Sequence, residues 1–323
     1  MPRWGRKVAE IPDRLIEDTV VELLRLAVTK LPEDVEKALR RIFEEERSSA
    51  ARMQMTAILE NLKLAEETST PLCQDTGIHV FFVKLGAPAG DIEKTIRRGV
   101  ERATREVPLR PNAVHPVTRK NPGNNLGVHM PYVYYEPGEG GYLEITVMPK
   151  GAGSENMSQM AMLTPSAGEK GVKEFALNTI LRAGSNPCPP IMVGMGIGGS
   201  ADICMGLAKK ALLRPIGSHN PDPEMARLER ELFDALNGIG IGPMGLGGQN
   251  TLLSFNIEHA FCHTASHPVA INIQCWAARR ATARLYPDGR VEYLTHKVRV
   301  ATGGGQGTAN GTAGKAAGKK EGN

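Results

Sequence analysis

The sequence has 323 residues, of which 41% are hydrophobic and 23% are charged, and its formal net charge is +4. This length suffices for one large domain or two small ones with a sizeable core. The small net charge gives no reason to expect a nucleic acid or a membrane surface as partner. The sequence also has no run of about 18 apolar residues that would predict a membrane span. The N-terminus lacks the apolar run of a secretory signal, and Glu10 and Asp13 argue against a transit peptide. We therefore expect a protein of the reducing cytoplasm.

The first part of the chain, about residues 13–68, has the apolar spacing of helices. Apolar residues recur at helical intervals from Leu15 to Ala27, and Asp13 is the predicted N-cap. Pro32 ends this helix, a second apolar stripe follows it, and a third helix is predicted over Arg52–Glu67. Nothing in this region carries chemistry, which favours a packing scaffold.

Beyond Pro71 the sequence predicts a mixture of strands and helices. The predicted strands are Ile78–Leu85, Tyr132–Tyr135, Leu143–Met148, Ile191–Val193, Val269–Cys275 and Val291–Leu294. The predicted helices run from Asp91 to Glu106, Lys170 to Ala183, Ala201 to Leu213 and Asp222 to Asn237. Because strands and helices do not alternate regularly, we expect an α+β fold, with an N-terminal helical region followed by mixed sheets and surrounding helices. Residues 1–302 are the predicted domain, and the Gly-, Ala- and Lys-rich tail 303–323 is predicted to be disordered.

The chain has five widely spaced cysteines: Cys73, Cys188, Cys204, Cys262 and Cys275. Their odd number and spacing do not suit the disulfide framework of a secreted domain, and no C-x-x-C pair indicates a zinc ribbon. Taken singly, each is most simply interpreted as a buried, inert thiol.

Five segments combine glycine or proline with polar side chains, as candidate functional loops do. They are Pro71–Gly77, Arg110–Asn125, Pro149–Asn156, Asn186–Asp202 and His263–Trp276. The first places a thiol, an amide and a carboxylate in a row, and the fourth holds a cysteine rigidly between prolines. The second offers an arginine suited to a carboxylate, and the third offers glycines that let backbone N–H groups approach an anion. Ordinary turns, an exposed arginine and structural histidines remain the alternative interpretations.

Gly194, Gly196 and Gly199 match G-x-G-x-x-G, the fingerprint of dinucleotide-binding folds, between a predicted strand and helix. Against this interpretation, the predicted helix ends near Pro215 and a loop follows in place of a second apolar strand. No βαβ unit is predicted around the motif, which makes a nicotinamide-dependent oxidoreductase a remote alternative.

Taken together, the segments resemble the class I, iron–sulfur-dependent fumarase family, in its α subunit or N-terminal domain. The matching stretches are PLCQDTG, NPGNN, KGAGSENMS, NPCPP, VGMGIGGSAD, GIGPMGLGGQNT and HTASHPVAINIQCW. They lie in the family's order and span about residues 10–300. The related L-tartrate dehydratase α subunit shares the pattern, so the resemblance defines the family more firmly than the substrate.

The resemblance implies that Cys73, Cys188 and Cys275 bind a 4Fe-4S cluster, with Cys204 and Cys262 as structural residues. Because a cluster normally takes four thiolates, three would leave one iron open as a Lewis acid for a hydroxy acid.

The same resemblance implies roles for individual residues at the substrate. It places Gln74 and Asp75 there, with Asp75 and His263 as catalytic candidates, and His263 fits the family pattern better than His267. Arg110 is the expected carboxylate clamp, and Gly153 is an expected backbone contact.

In two-subunit members of this family, a smaller β subunit completes the cleft and contributes further basic groups. We therefore expect an obligate β partner, an α2β2 assembly, and little hydratase activity from this chain alone. The predicted activity is reversible hydration of fumarate to (S)-malate, with L-tartrate dehydration as the alternative. A cluster-containing scaffold or sensor without turnover is a third class.

Overall fold

The structure, a computed structural model, describes residues 9–298, so the predicted tail 303–323 lies outside it. The chain begins with helices α1 (Asp13–Thr29), α2 (Glu33–Glu45) and α3 (Ser49–Thr68), which confirms the helical prediction for this region. Within residues 9–298, every helix is too short or too polar to span a lipid bilayer.

The prediction that Asp13 caps α1 is wrong. Pro12 is the N-cap, and Asp13 is the first residue of the helix. The Asp13 carboxylate instead accepts a hydrogen bond from Arg98 at 3.0 Å. Arg98 belongs to α4 (Ile92–Glu106), whose own predicted cap, Asp91, is confirmed by a 3.0 Å hydrogen bond to a first-turn amide.

The first sheet is mixed and has the strand order β2-β1-β3-β8-β9. Its strands are β1 (Ile78–Leu85), β2 (Tyr132–Pro137), β3 (Leu143–Lys150), β8 (Ala281–Leu285) and β9 (Val291–Tyr293). β1 runs parallel to β2 and antiparallel to β3. Helices α1 and α4 cover one face, where they pack on Phe81, Ile145 and Ala283.

The second sheet is also mixed and has the order β4-β7-β5-β6. Its strands are β4 (Gln159–Leu163), β5 (Ile191–Ile197), β6 (Leu252–His259) and β7 (His267–Gln274). The helices of this half are α5 (Ala152–Glu155), α6 (Gly168–Ala183), α7 (Ala201–Ala211) and α8 (Pro223–Asn237). Helices α6 and α8 pack on the face that carries Val193 and Ile271, and α7 packs on the opposite face against Ala270. Two mixed sheets with helices on their faces confirm the α+β fold.

Apolar side chains join the two halves. The second face of the first sheet presents Phe82 and Met148, which pack in one buried cluster with Met192, Leu253 and Trp276. Met192 is the second residue of β5, and Trp276 follows β7. This cluster therefore sets the beginning of β5 and the end of β7 against the first sheet.

Strands β4, β6 and β8 were absent from the prediction. In β6, polar Ser254 and Asn256 interrupt the apolar pattern, and the Asn256 amide is satisfied by the Ala211 carbonyl at 3.0 Å. In β8, small residues are buried because α1 covers them, so the strand lacks the bulky residues typical of strands.

The glycines of the G-x-G-x-x-G match have a packing role. The prediction that no second strand follows is wrong, because β6 lies parallel to β5, with α7 and α8 between them in the chain. Gly194 and Gly196, however, lie inside β5 under α7. A Cβ at these positions would lie 2.1 Å from the Ala208 carbonyl oxygen and 2.0 Å from that of Cys204. Close packing of α7 therefore explains both glycines without a bound dinucleotide.

Candidate active site

The loop Cys73–Gly77 and the segment Lys150–Glu155 meet at one edge of the first sheet. Strand β1 is antiparallel to β3 with Ile78 opposite Lys150, so the start of one strand adjoins the end of the other. The Asp75 carboxylate bridges the two segments. It accepts hydrogen bonds from the Gly77 amide at 2.9 Å and the Ala152 amide at 2.7 Å. These two donors fix the orientation of the half-buried carboxylate.

The Arg110 segment docks on the same loop. The Thr76 hydroxyl accepts hydrogen bonds from the Arg110 amide at 3.0 Å and from the Asn112 side chain at 3.3 Å. Buried Asn125 binds the other side of the segment, because its side chain accepts from the Asn112 amide and donates to the Arg110 carbonyl. Arg110 is exposed, as a clamp for a soluble anion requires, and its backbone is bound to the residue that follows Asp75.

The segments that carry Cys188 and Cys275 meet at one end of the second sheet. Cys188 precedes β5 and Cys275 follows β7, and these strands are antiparallel with Met192 opposite Gln274. The Trp276 amide donates to the Cys188 carbonyl at 3.1 Å, which joins the two segments directly. Cys188 has a φ of +55°, a left-handed conformation that non-glycine residues adopt rarely.

The three predicted ligand thiols, Cys73, Cys188 and Cys275, lie within electrostatic reach of one another. Partial burial raises the pKa of the Cys188 thiol, and the thiols of Cys275 and Cys73 raise this pKa further. Burial also raises the pKa of Cys275; the cations Arg279 and Lys150 oppose that rise, whereas Cys73 adds to it. The folded chain thus brings together three cysteines that are far apart in sequence.

Within residues 9–298, no three His, Cys, Asp or Glu side chains are placed to share one metal ion. A cubane does not require this, since each thiolate binds a different iron. The donor set is all sulfur and lies beside two buried cations, which suits an anionic iron–sulfur cluster. These residues therefore fit the cluster that the resemblance implies.

An ionic network around the buried Lys150 side chain lies next to the candidate ligand Cys275. The Lys150 ammonium donates to the Ser154 hydroxyl at 3.0 Å and lies 3.2 Å from the Glu155 carboxylate. Glu155 also binds Lys209 of α7 at 2.6 Å and Asn272 of β7 at 2.9 Å. Burial lowers the pKa of Lys150 to about 8, while the two lysines overcome the effect of burial on Glu155 and hold its pKa at about 2.

The sequence motifs include Lys150 and Glu155 but do not indicate their ionic network, and they do not include Arg279. Arg279 lies four residues beyond Cys275, and its Nη1 donates to the Asp75 carbonyl at 2.7 Å. Its side chain is among the largest fully buried ones. A polar residue so close to a candidate ligand was a signal, but only the fold reveals its contact with a residue 204 positions away.

Gln74 and Gly153 lie at the exposed surface of the same region. Gln74 is exposed and adjoins Cys73 in sequence. Gly153 is exposed as well, and a Cβ there would lie 3.4 Å from the Asn186 carbonyl oxygen, two residues before Cys188. The structure therefore brings the two predicted substrate contacts toward the cysteines and leaves both open to the outside.

His263 lies elsewhere in this chain. It is exposed in the loop before β7, where its Nδ1 accepts from the Ala265 amide at 3.1 Å, whereas Cys275 follows the same strand. An eight-residue strand spans roughly 25 Å, at about 3.3 Å per residue, so His263 and Cys275 lie at opposite ends of the sheet. His267, which begins β7, lies at the same remote end as His263.

The remaining cysteines take no part in the gathered group. Cys204 is buried in α7, where its thiol donates to the Gly196 carbonyl at 3.2 Å and burial raises its pKa to about 12. Cys262 is exposed in the loop that carries His263. That neither of them binds the cluster stays a prediction.

Comparison with known proteins places the chain among hydro-lyases. The family profile of fumarate hydratase (Fumerase) matches residues 17–284. The putative L(+)-tartrate dehydratase subunit alpha of Methanocaldococcus jannaschii is 52% identical over 283 residues, which cover 85% of this chain and 99% of that protein. The L(+)-tartrate dehydratase subunit alpha of Escherichia coli K12 is 36% identical over 286 residues, covering 87% and 94%. The predicted resemblance is therefore confirmed, and the chain belongs to the fumarate hydratase (Fumerase) family as an α subunit of the class I type.

Proposed function

We propose that this chain is the iron–sulfur α subunit of a hydro-lyase for four-carbon dicarboxylates, and that it interconverts fumarate and (S)-malate. One observation carries the proposal. Three thiols distant in sequence lie within electrostatic reach of one another, and one of them, Cys73, is two residues from the Asp75 carboxylate, which two backbone amides hold in place.

Cys73, Cys188 and Cys275 would hold a 4Fe-4S cluster through their thiolates. When bound, such a cluster supplies an iron without a protein ligand, which polarises a hydroxyl group as a Lewis acid. A reducing compartment, as expected for a cytoplasmic protein, suits this group because exposed iron is sensitive to oxidation. Cys188 is exposed, so a cluster held there would be accessible to a substrate.

Asp75 is the candidate for proton transfer in this chain. Its carboxylate oxygens accept from Gly77 and Ala152 and keep further lone pairs free, so either oxygen can still take a proton. The two amides hold the carboxylate between the Cys73–Gly77 loop and the Lys150–Glu155 segment. In this proposal Asp75 accepts or returns the proton at the carbon next to the hydroxyl-bearing carbon.

Gln74, Arg110 and Gly153 would bind and orient the dicarboxylate. The exposed guanidinium of Arg110 can bind a carboxylate through two parallel hydrogen bonds, and Thr76 and Asn125 fix its backbone. Gly153 allows close approach of a carboxylate to the backbone, and the Gln74 amide can donate to a second oxygen.

His263 has no step within a single chain, because it lies at the far end of β7. A catalytic role for His263 requires that it reach the cluster site of a second α chain, as an α2β2 assembly would allow. We keep this role as a prediction that depends on the assembly.

A β partner completes the proposed enzyme. Gln74, Arg110, Gly153 and Cys188 are all exposed on this chain, so a substrate bound there would face solvent on one side. Both relatives described above are named as alpha subunits. A second subunit would exclude water and supply further cations for the second carboxylate.

L(+)-tartrate is the second candidate substrate. Both of these relatives carry that name, whereas the matching family profile is named after fumarate hydratase. (S)-Malate and L(+)-tartrate differ by one hydroxyl group on the four-carbon chain. The β partner can therefore decide between them without a change in the chemistry proposed for this chain.

The experiment is an assay of the anaerobically reconstituted α–β pair with fumarate, (S)-malate and L(+)-tartrate. We expect turnover of at least one acid, and less than one-tenth of that rate from the loaded chain alone. Full activity of the isolated chain would refute the β partner. A loaded pair that turns over none of the acids would favour the scaffold or sensor class.

A further inference from the structure

Arg279 is a buried cation without a carboxylate partner. Its side chain is 2% exposed, and none of the ion pairs formed within residues 9–298 at up to 4.0 Å includes it. The adjacent Arg280, 4% exposed, behaves differently because its guanidinium is paired with Asp34. Burial of a charge is costly unless an opposite charge compensates it, so Arg279 requires an anion from another source.

The Arg279 guanidinium contacts the Asp75 loop and acts on one of the candidate ligands. Nη1 binds the Asp75 carbonyl at 2.7 Å, and Nε is buried without a hydrogen-bond partner. Nη2 of Arg279 and a carboxylate oxygen of Asp75 both lie close to Gly151. A Cβ added to that glycine would be 3.3 Å from Nη2 and 3.1 Å from the Asp75 oxygen. The guanidinium also acts electrostatically on Cys275.

Neutral thiols cannot balance this charge, whereas thiolates can. Lys150, the other cation near Cys275, already has the Glu155 carboxylate at 3.2 Å. Of the two cations that act on Cys275, Arg279 is therefore the one without a carboxylate within 4.0 Å in the described part of the chain.

We propose that Arg279 is a positioning residue that supplies the fixed positive charge balancing the thiolate-bound cluster, while its Nη1 holds the Asp75 loop against the cysteines. This inference rests on the proposed iron–sulfur function. Charge compensation makes the cluster easier to reduce, because added negative charge is stabilised by a nearby cation. It also makes cluster binding stabilise the fold more than the cysteine–iron bonds would alone.

Two substitutions separate the charge from the hydrogen bond. Arg279→Gln removes the charge but can still donate to the Asp75 carbonyl, and Arg279→Lys keeps the charge but loses the planar fork. Arg280→Gln is the matched control, since Arg280 is adjacent and also buried but its charge is paired with Asp34. Each full-length protein is loaded anaerobically with iron and sulfide.

Three readouts are then compared: iron and sulfide per chain, the reduction potential from an EPR-monitored titration, and the rise in melting temperature on loading. We expect Arg279→Gln to lower the potential, reduce the cluster content and shrink the rise in melting temperature, while Arg279→Lys and Arg280→Gln keep the wild-type potential. If Arg279→Gln does not fold, Arg279→Lys still decides, because a shifted potential in that variant contradicts the proposal.

Other outcomes also count against the proposal. A folded Arg279→Gln with wild-type content and potential overturns it, as does an equal shift in Arg280→Gln. A raised KM with an unchanged potential would assign the guanidinium to the substrate and overturn it too. Wild-type protein that takes up no cluster would instead reject the proposed function, and this inference with it.

Discussion

The backbone amide of Trp276 donates to the carbonyl of Cys188 at 3.1 Å, so one main-chain hydrogen bond joins the candidate ligand Cys188 to the residue that follows the candidate ligand Cys275. Trp276 is also packed in the cluster that holds the two sheets together. The distance between Cys188 and Cys275 therefore depends on the core as well as on the loops. This coupling explains why residues in different halves of the chain can form one site.

The first prediction concerns Asp75. Asp75→Asn keeps the shape of the side chain but removes the negative charge that would take a proton. We expect the rate of the α–β pair to fall by about 100-fold or more, the usual scale for loss of a general acid or base. The cluster content should stay at the wild-type value, which iron analysis checks.

The control for that experiment is Asp288→Asn, in the exposed turn before β9, which should leave the rate within about twofold because surface changes remote from a site are usually small. An Asp75→Asn enzyme with near wild-type turnover would remove Asp75 from the proposed chemistry.

The second prediction concerns Asn125, which anchors the Arg110 segment. Asn125→Ala removes hydrogen bonds to the Asn112 amide, the Arg110 carbonyl and the Thr104 hydroxyl. At about 1 kcal/mol for each lost bond, the free energy of unfolding should fall by roughly 3 kcal/mol. A urea titration measures this fall.

Asn125→Ala should also raise KM for the dicarboxylate, since Arg110 would lose its fixed backbone. Asn124→Ala, in a half-buried neighbour with one local hydrogen bond, should cost about 1 kcal/mol by the same scale. An equal fall in the free energy of unfolding in the two variants would contradict the anchoring of the Arg110 segment by Asn125.

The third prediction concerns Gly196, beneath α7. A Cβ at this position would lie 2.0 Å from the Cys204 carbonyl oxygen, so Gly196→Ala must displace the helix. We expect a loss of about 2 kcal/mol or more, as overpacked cores show. Gly206→Ala is the matched control on α7, because its Cβ would meet nothing closer than 3.9 Å and alanine favours helix. A tolerated Gly196→Ala would contradict the packing role and reopen the dinucleotide interpretation.

The fourth prediction concerns acid stability. Burial and the Arg279 charge lower the pKa of His79 to about 4. Burial lowers the pKa of His296 to about 4; the charges of Lys30 and Arg280 add to this shift, whereas the hydrogen bond to the Lys30 carbonyl opposes it. Because each folded pKa lies below the unfolded value of 6.5, the unfolded chain binds more protons as the pH falls from about 6.5 to about 4. Stability should therefore be lost across this window.

Each histidine should cost about 2 kcal/mol between pH 7 and pH 5, at about 1.4 kcal/mol per pH unit below the unfolded pKa. Denaturant titrations at the two pH values measure the loss, and His296→Gln should reduce it by about half. An unchanged pH dependence in His296→Gln would assign the loss to other groups.

Much of the fold follows from local sequence. Strand β1 was predicted because its own aromatic and branched residues carry its burial, and the Asp91 cap was predicted because the capping hydrogen bond is local. Strand β8 was not, because α1 buries its small residues from a distant part of the chain. Asp13 was predicted as a cap, yet it pairs with Arg98, 85 residues away.

The site divides in the same way. The motifs identify Cys73, Cys188 and Cys275 because each is set in a distinctive local pattern. They do not identify Arg279 as a neighbour of Asp75, or Lys150 as a buried group bound to the carbonyl of Ile273, because these contacts depend on how the strands pair. They also do not reveal that β7 separates His263 from Cys275.

The proposed cluster site requires the three cysteines to act together, and a serine series tests this directly. Iron and sulfide are measured in anaerobically reconstituted wild type, in Cys73→Ser, Cys188→Ser and Cys275→Ser, and in the control Cys262→Ser. We predict a four-iron cluster in the wild type and in Cys262→Ser, and its loss or conversion to a smaller iron content in each of the other three. Equal iron and sulfide in all five proteins, or none in the wild type, would contradict the account.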